Sequence, residues 1–181
     1  MNIEEKQDIR NSNPQENIGK LKQVLLYILE KVGAKPNVGK TVLFKLLYFI
    51  DCDYYELYEE QLMGLRYVKK QFGPFPLIFD ETIKEMKEMG QLEEIDIPYY
   101  DKKQTRYFPL VSSDPDMLTA QEVNHIDEVL KKHSDKTAVE ISDFSHKDIP
   151  WISTKEGETL DYEGVFYRNE STSVRTYPDE I

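Results

Sequence analysis

The stretch "AKPNVGKT", Ala34 to Thr41, decides between two kinds of protein. Counted literally it is a phosphate-binding loop: a small residue, four free positions, then Gly-Lys-Thr. In such a loop backbone amides cradle phosphates, the Lys reaches the outer ones and the hydroxyl holds Mg²⁺. That chemistry needs a buried strand before the loop and a helix after it, within a parallel sheet. The flanks supply something else. Upstream, Ile18, Leu21, Leu25, Ile28 and Val32 recur at three- and four-residue spacing, with Lys20, Lys22, Gln23, Glu30 and Lys31 on the other face. This predicts an amphipathic helix from Asn17 that stops at Gly33. Downstream, "VLFKLLYFI" (42–50) is apolar nearly all round and predicts the central helix of the core, from about Val38 to Tyr58. Asp51, placed where a Mg²⁺-holding Asp would follow an apolar run, belongs to that same helix rather than to the end of a separate strand. "AKPNVGKT" therefore reads as a helix-to-helix turn, with Lys40 in the first turn of the second helix.

Working outward, Leu65, Tyr67 and Val68 suggest a short extended segment. "FGPFP" (72–76) reads as a rigid turn, because Pro74 and Pro76 fix the backbone and force Gly73 and Phe75 out of helical geometry. "LIFDETIKEMKEM" (77–89) predicts a third helix with Ile78, Thr82, Ile83, Met86 and Met89 inward and Gly90 as its stop. "QLEEIDI" and "TRYFPLV" flank the polar "YYDKKQ" and predict an antiparallel hairpin. Two capping boxes follow. Thr119–Glu122 opens a helix to about His133, with Val123, Ile126 and Leu130 inward, and Thr137–Glu140 opens a short one through Phe144. The expected fold is mainly α with a small antiparallel β-hairpin, an α+β arrangement with winged-helix-like elements. It forms a single domain over residues 17–168, between a flexible segment 1–16 and a flexible tail 169–181.

Composition narrows the function. The 181 residues are enough for one well-buried domain, and 39% hydrophobic with 31% charged residues is an ordinary globular profile. No apolar run is long enough to cross a bilayer, and the polar, acidic start is no signal peptide; the expected compartment is the cytoplasm. A single Cys, Cys52, rules out a disulfide framework and a cysteine-based zinc site. The net charge of −11 argues against broad nucleic-acid binding, which runs on clustered Lys and Arg. That charge is uneven: residues 114–181 hold 16 acidic against 7 basic residues, and local basic runs remain at "RYVKK" and "DKKQTR". An acidic surface suits a basic protein partner.

Candidate chemical sites fall away on inspection. His125 and His133 are eight residues apart with no carboxylate at ligand spacing, so no metal site is expected. Ser145 and His146 beside Asp143 and Asp148 suggest a hydrolase triad, but sequence neighbours rarely converge on one point and no nucleophile-elbow pattern is present. His146 is expected to hydrogen-bond the turn around Pro150 and Trp151. Carboxylate pairs such as Asp51/Asp53 and Glu59/Glu60 are common on surface helices and define no site by themselves. Twelve tyrosines suggest packing with wet hydroxyls, or surface contacts. A helix followed by a charged hairpin resembles a DNA-reading wing carrying Lys102, Lys103 and Arg106. The helix before it exposes Asp80, Glu81, Glu85 and Glu88, which would face phosphates with like charge.

Three pieces in order resemble one family: "KLLYFID" (45–51), "YVKKQFGPFP" (67–76) and "ISDFSHKDIPW" (141–151). They are similar to the signatures of the Panacea, or SocA-like, antitoxin domain. That family typically shows Lys-Leu-Leu-Tyr-Phe-Ala-Asp, aromatic-Gly-Pro-Val-Pro, and a Leu-Ser-His stretch ending in Trp. Ile50, Phe75 and Ile149-Pro150 depart from the usual residues, which bears on local packing. The resemblance implies a bacterial or phage antitoxin that neutralises a co-encoded toxin by direct binding. Its alternatives are an adaptor delivering the toxin to a protease, and a winged-helix-like DNA-binding regulator. Neither an enzyme activity nor a cofactor is expected, and no membrane partner. The residues carried over are Lys45, Tyr48, Asp51, Tyr67, Lys70, Phe72, Gly73, Pro74, Phe75, Ser145, His146 and Trp151. They are expected to converge, with Lys45–Asp51 a buried spine, Tyr48 and Asp51 turned toward "QFGPFP", and Ser145, His146 and Trp151 closing over it as one semi-polar groove.

Overall fold

The computed structural model describes residues 10–178; residues 1–9 and 179–181, parts of the two segments expected to be flexible, lie outside the described residues. Helix α1 (Ile18–Val32) opens on Asn17, whose side chain accepts the Lys20 amide and so satisfies one of the first-turn donors. Helix α2 (Lys40–Tyr58) follows, buried continuously from Val42 to Glu56, with Tyr48, Phe49, Leu46 and Leu47 enclosed at its centre. As expected of a helix apolar on every side, the other elements pack around it.

Between them, "AKPNVGKT" is a turn. Three of its amides are spent on nearby carbonyls: Lys35 donates to Val32, Val38 to Lys35 and Gly39 to Asn37. Asn37 Nδ2 donates to the carbonyls of Ser134 and Lys136, and Lys40 forms an exposed ion pair with Asp80 at 2.7 Å. A helix, not a strand, leads into the turn.

Two small antiparallel sheets follow, where one hairpin was expected. Strand β1 (Tyr67–Lys70) pairs with β2 (Gly73–Pro76) in the register Tyr67↔Pro76 to Lys70↔Gly73. The "FGPFP" segment is thus mostly a strand rather than a turn. Prolines are tolerated because a short edge strand leaves alternate N–H positions unused. On its other side β1 is bridged by residues 157–160, with Gly157 and Leu160 amides donating to the Lys69 and Tyr67 carbonyls.

Helix α3 (Phe79–Glu88) buries Phe79, Thr82, Ile83 and Met86, but Met89, expected inward, lies beyond its end and is exposed. Strands β3 (Leu92–Tyr99) and β4 (Lys102–Pro109) form the expected hairpin, longer than anticipated and closed by the two-residue loop Tyr100-Asp101. Arg106 on β4 donates to the Gly33 and Lys35 carbonyls, and Gln104 to that of Pro36. The hairpin therefore props the α1–α2 turn, and its Arg is committed to that contact. Both capping boxes form as expected, opening α4 (Ala120–His133) and α5 (Ala138–Ser145). A one-turn helix α6 (Ile149–Ile152) and a 3-10 helix (Tyr162–Tyr167) are the last elements among the described residues.

The described parts of the two ends contact the body. Arg10 forms hydrogen bonds with Glu59 and Glu163, while Ser173, Val174 and Tyr177 all donate to the Glu56 carboxylate. No helix among the described residues is long and apolar enough to cross a membrane.

Candidate functional site

The twelve residues singled out in the sequence divide among three interior clusters and a rim. The first gathers around Gly73. This glycine has φ +114°, and a Cβ there would stand 2.5 Å from Lys45 Cε and 2.6 Å from Ser145 Oγ. Only glycine lets the backbone of β2 lie against α2 and α5 at once. Lys45 is buried, and its Nζ finds only the Pro74 carbonyl, at 3.4 Å. Ser145 Oγ donates to the Ser142 carbonyl at 2.7 Å, so its hydroxyl is used within α5. The "KLL", "FGP" and "SH" segments therefore do meet here.

Lys45 yields a pH prediction. Burial lowers its ammonium to about 8, because no carboxylate offsets the lost hydration. Below that pH both folded and unfolded chains carry the proton. Between about 8 and the ordinary Lys value the unfolded chain keeps a proton the folded one has released, so stability rises with pH across that window. Holding the charge inside at neutral pH costs on the order of 3 kcal/mol. Lys45→Met, similar in shape, is expected to stabilise the fold by roughly 2 kcal/mol at pH 7 and to flatten the alkaline rise. Urea titrations at pH 7 and pH 10 read both; a destabilised variant would show that the ammonium contributes favourably.

The second cluster corrects the expected direction of Asp51. It does not face "QFGPFP" but caps the loop before β1. Oδ1 accepts the Met63 and Gly64 amides at 2.8 and 3.1 Å; Oδ2 accepts the Leu65 amide at 3.2 Å and the Tyr67 hydroxyl at 2.8 Å. Gly64, at φ +65°, supplies the left-handed residue this tight loop requires. Burial pushes the Asp51 carboxyl up to about 6 despite these four donors.

Tyr48 also turns elsewhere than expected, donating to Asp148 Oδ2 at 2.6 Å. Asp148 belongs to a cluster that the sequence reading misses. Arg168, buried in the 3-10 helix's C-cap, grips both Asp148 oxygens at 2.8 Å, with Asp53 at 2.7 Å and Glu56 at 3.1 Å on its other arm. Burial works against the Arg168 charge, but Asp53 and Asp148 outweigh it and raise its pKa well above the ordinary value. Burial likewise lifts Asp53 to about 6 against the pull of Arg168. Asp51 is interior, as expected of the buried spine, and Asp53 is interior with it, whereas Glu59 and Glu60 are exposed. A signal was present: Asp51, Asp53 and Glu56 fall on a helix apolar on every side, so they needed partners from elsewhere in the chain.

The remaining residues form the rim. Trp151 is half-buried and stacks on His146, with ring centroids 4.3 Å apart and Lys69 Nζ 3.9 Å from the indole centroid. His146 makes this stack instead of the expected hydrogen bond to its turn. Lys70 Nζ sits 3.9 Å over Phe75, and Phe72 at the β1–β2 tip is exposed. An open depression of about 540 Å³ does exist, but between α2, α4 and Val174, lined by Asp53, His125, Glu128 and Lys132 and sharing no residue with the motif segments. Of the twelve tyrosines, six are buried, and Tyr48, Tyr67 and Tyr162 donate inside the protein rather than to water. Among the described residues no group of three or more His, Cys, Asp or Glu is placed to hold a metal ion.

This geometry defines a mainly helical α+β domain in which buried polar residues hold the protein's own layers together. The chain belongs to the SocA-like antitoxin, Panacea domain family, whose model matches residues 43–152. No curated protein and no solved structure matches it. The matched region contains Asp53, Glu56 and Asp148, while Arg168, the cation that answers them, lies outside it.

Proposed function

We propose that this chain is the antitoxin of a toxin–antitoxin pair, acting in the cytoplasm by direct binding to a co-encoded toxin and carrying no catalytic activity of its own. The observation that carries the reading is the family membership over residues 43–152. The chemistry is compatible with it. Asp51, Tyr48, Ser145 and Arg168 are buried and engaged in internal hydrogen bonds, so they serve as scaffold rather than as reagents. Binding would then fall to exposed surface, where the rim residues Phe72, Lys70 and Trp151 are candidates.

The test is co-expression with the product of the neighbouring reading frame. The expected result is a growth defect from that product alone, relief when this chain is present, and a complex that survives gel filtration. Relief that depends on a cellular protease, with toxin levels falling, would instead assign the adaptor role. Binding to the upstream DNA at low salt, lost on replacing Lys102 and Lys103 by Ala, would assign the regulator role. Absence of any relief sinks the antitoxin reading.

A further inference from the structure

The β3–β4 hairpin carries an open edge whose geometry is fixed by its sequence. Tyr99 and Lys102 flank the two-residue loop, where an antiparallel hairpin exchanges both backbone bonds, and the Leu110 amide donates to the Gln91 carbonyl at the other end, in the same phase. Bonded pairs alternate along an antiparallel ladder. The exchanging residues of β3 are therefore Glu93, Ile95, Ile97 and Tyr99, and Leu92, Glu94, Asp96 and Pro98 aim their backbone groups outward. Pro98 and Pro109 both fall at outward positions, where no ladder N–H is needed. No main-chain bond from any other described segment reaches β3 from outside. Glu93, Glu94, Ile95 and Asp96 are all exposed.

Charge is sorted between the two strands. β3 carries Glu93, Glu94 and Asp96 and no base; β4 carries Lys102, Lys103 and Arg106 and no acid. In the observed register none of these acids lies directly opposite a base; Glu94 is 3.6 Å from Lys87 of α3, and Glu93 and Asp96 form no ion pair among the described residues. Charges on an edge strand keep it from pairing with its own kind. Three carboxylates of one sign reject a second copy of the same edge and admit a strand of opposite charge.

We propose that β3 is the docking edge for the toxin: an extended, basic segment of that protein adds as a third strand beside Glu93–Asp96. Main-chain bonds supply the pairing, and Ile95 with the carboxylates selects the side chains. This rests on the antitoxin reading above. It names a contact surface distinct from the Gly73 and Trp151 cluster.

Asp96→Pro is the discriminating variant. The Asp96 amide points outward, so proline removes a docking donor and fills the edge while leaving the β3–β4 ladder whole. Asp96→Ala removes the same carboxylate, and its hydrogen bond from Thr105, but keeps the amide. With the purified product of the neighbouring reading frame as probe, Asp96→Pro is expected to bind at least tenfold more weakly and lose growth protection, while Asp96→Ala stays within severalfold of the parent. Amide exchange on the unaltered chain gives an independent reading. The Glu94 and Asp96 amides should exchange freely alone and become protected in the complex.

Equal protection by Asp96→Pro, or no change in those amides on binding, overturns the proposal. Protection that instead appears in the free chain as its concentration rises assigns the edge to a second copy, and also overturns it. A parent chain that neither binds nor protects removes the antitoxin reading, and this inference with it.

Discussion

Arg168→Ala is expected to destabilise the fold by roughly 4–5 kcal/mol, because truncating one side of a buried ion cluster leaves charge without compensation. The guanidinium is fully enclosed, and its partners are all buried carboxylates, on α2 and on the residue preceding α6. Without it, Asp53, Glu56 and Asp148 must share the interior with no cation, and Asp53, which burial already lifts to about 6, takes up a proton as the pH falls. The loss should therefore be largest at pH 7–8 and smaller near pH 5. Arg168→Lys restores a charge but not the planar fork that reaches Asp148 with two donors and Asp53 and Glu56 with a third, so it is expected to recover only part of the stability. Urea unfolding followed by circular dichroism measures both. A midpoint for Arg168→Ala indistinguishable from that of the parent would mean the cluster contributes nothing net. A chain cut at residue 152, where the family match ends, lacks this cation and should be destabilised for the same reason.

The second large effect belongs to Asp51→Ala, at roughly 3–4 kcal/mol, since each buried donor left without an acceptor costs about 1–3 kcal/mol. Four donors lose their acceptor together: the amides of Met63, Gly64 and Leu65 and the Tyr67 hydroxyl. Asp51→Asn keeps one carbonyl oxygen in place and should cost about half as much, with the Tyr67 hydroxyl turning to accept. Loss of order should be local as well as global. The 62–67 loop holds β1 in place, and Tyr162 donates to the Leu65 carbonyl within it, so amide protection along β1 should drop before that of α1. An Asp51→Ala variant as stable as Asp51→Asn would show that loop amides are satisfied some other way.

The helices were legible because their signals are local. Three- and four-residue spacing marked α1, the two capping boxes placed α4 and α5 to within a residue, and Gly33 marked the end of the first helix. The β3–β4 hairpin was legible for the same reason. "FGPFP" misled because two prolines and a glycine mark a turn in isolation. Only the neighbouring "YVKK" and the surfaces of α2 and α5 make a strand of it.

The site divided along the same line. That Lys45, Gly73 and Ser145 belong together was readable from three motif segments, yet the direction of Tyr48 and Asp51 was not. Direction depends on which donor lies nearest in space. Tyr48 and Asp148 are 100 residues apart, and Arg168 lies 115 from Asp53. No sequence window spans such a pair, and carboxylates on a helix look alike whether they meet water or a buried guanidinium.

By itself, then, the sequence determined the five longer helices, the two capping boxes, the second hairpin and the family, since each is written in residues close to one another along the chain or in a set of short motifs. The tertiary structure alone decided that Asp53 and Glu56 are interior beside Asp51, that Arg168 answers those two, and that β3 keeps an open edge. Burial and long-range pairing are set by how the layers close on α2, and that closure has no local signature.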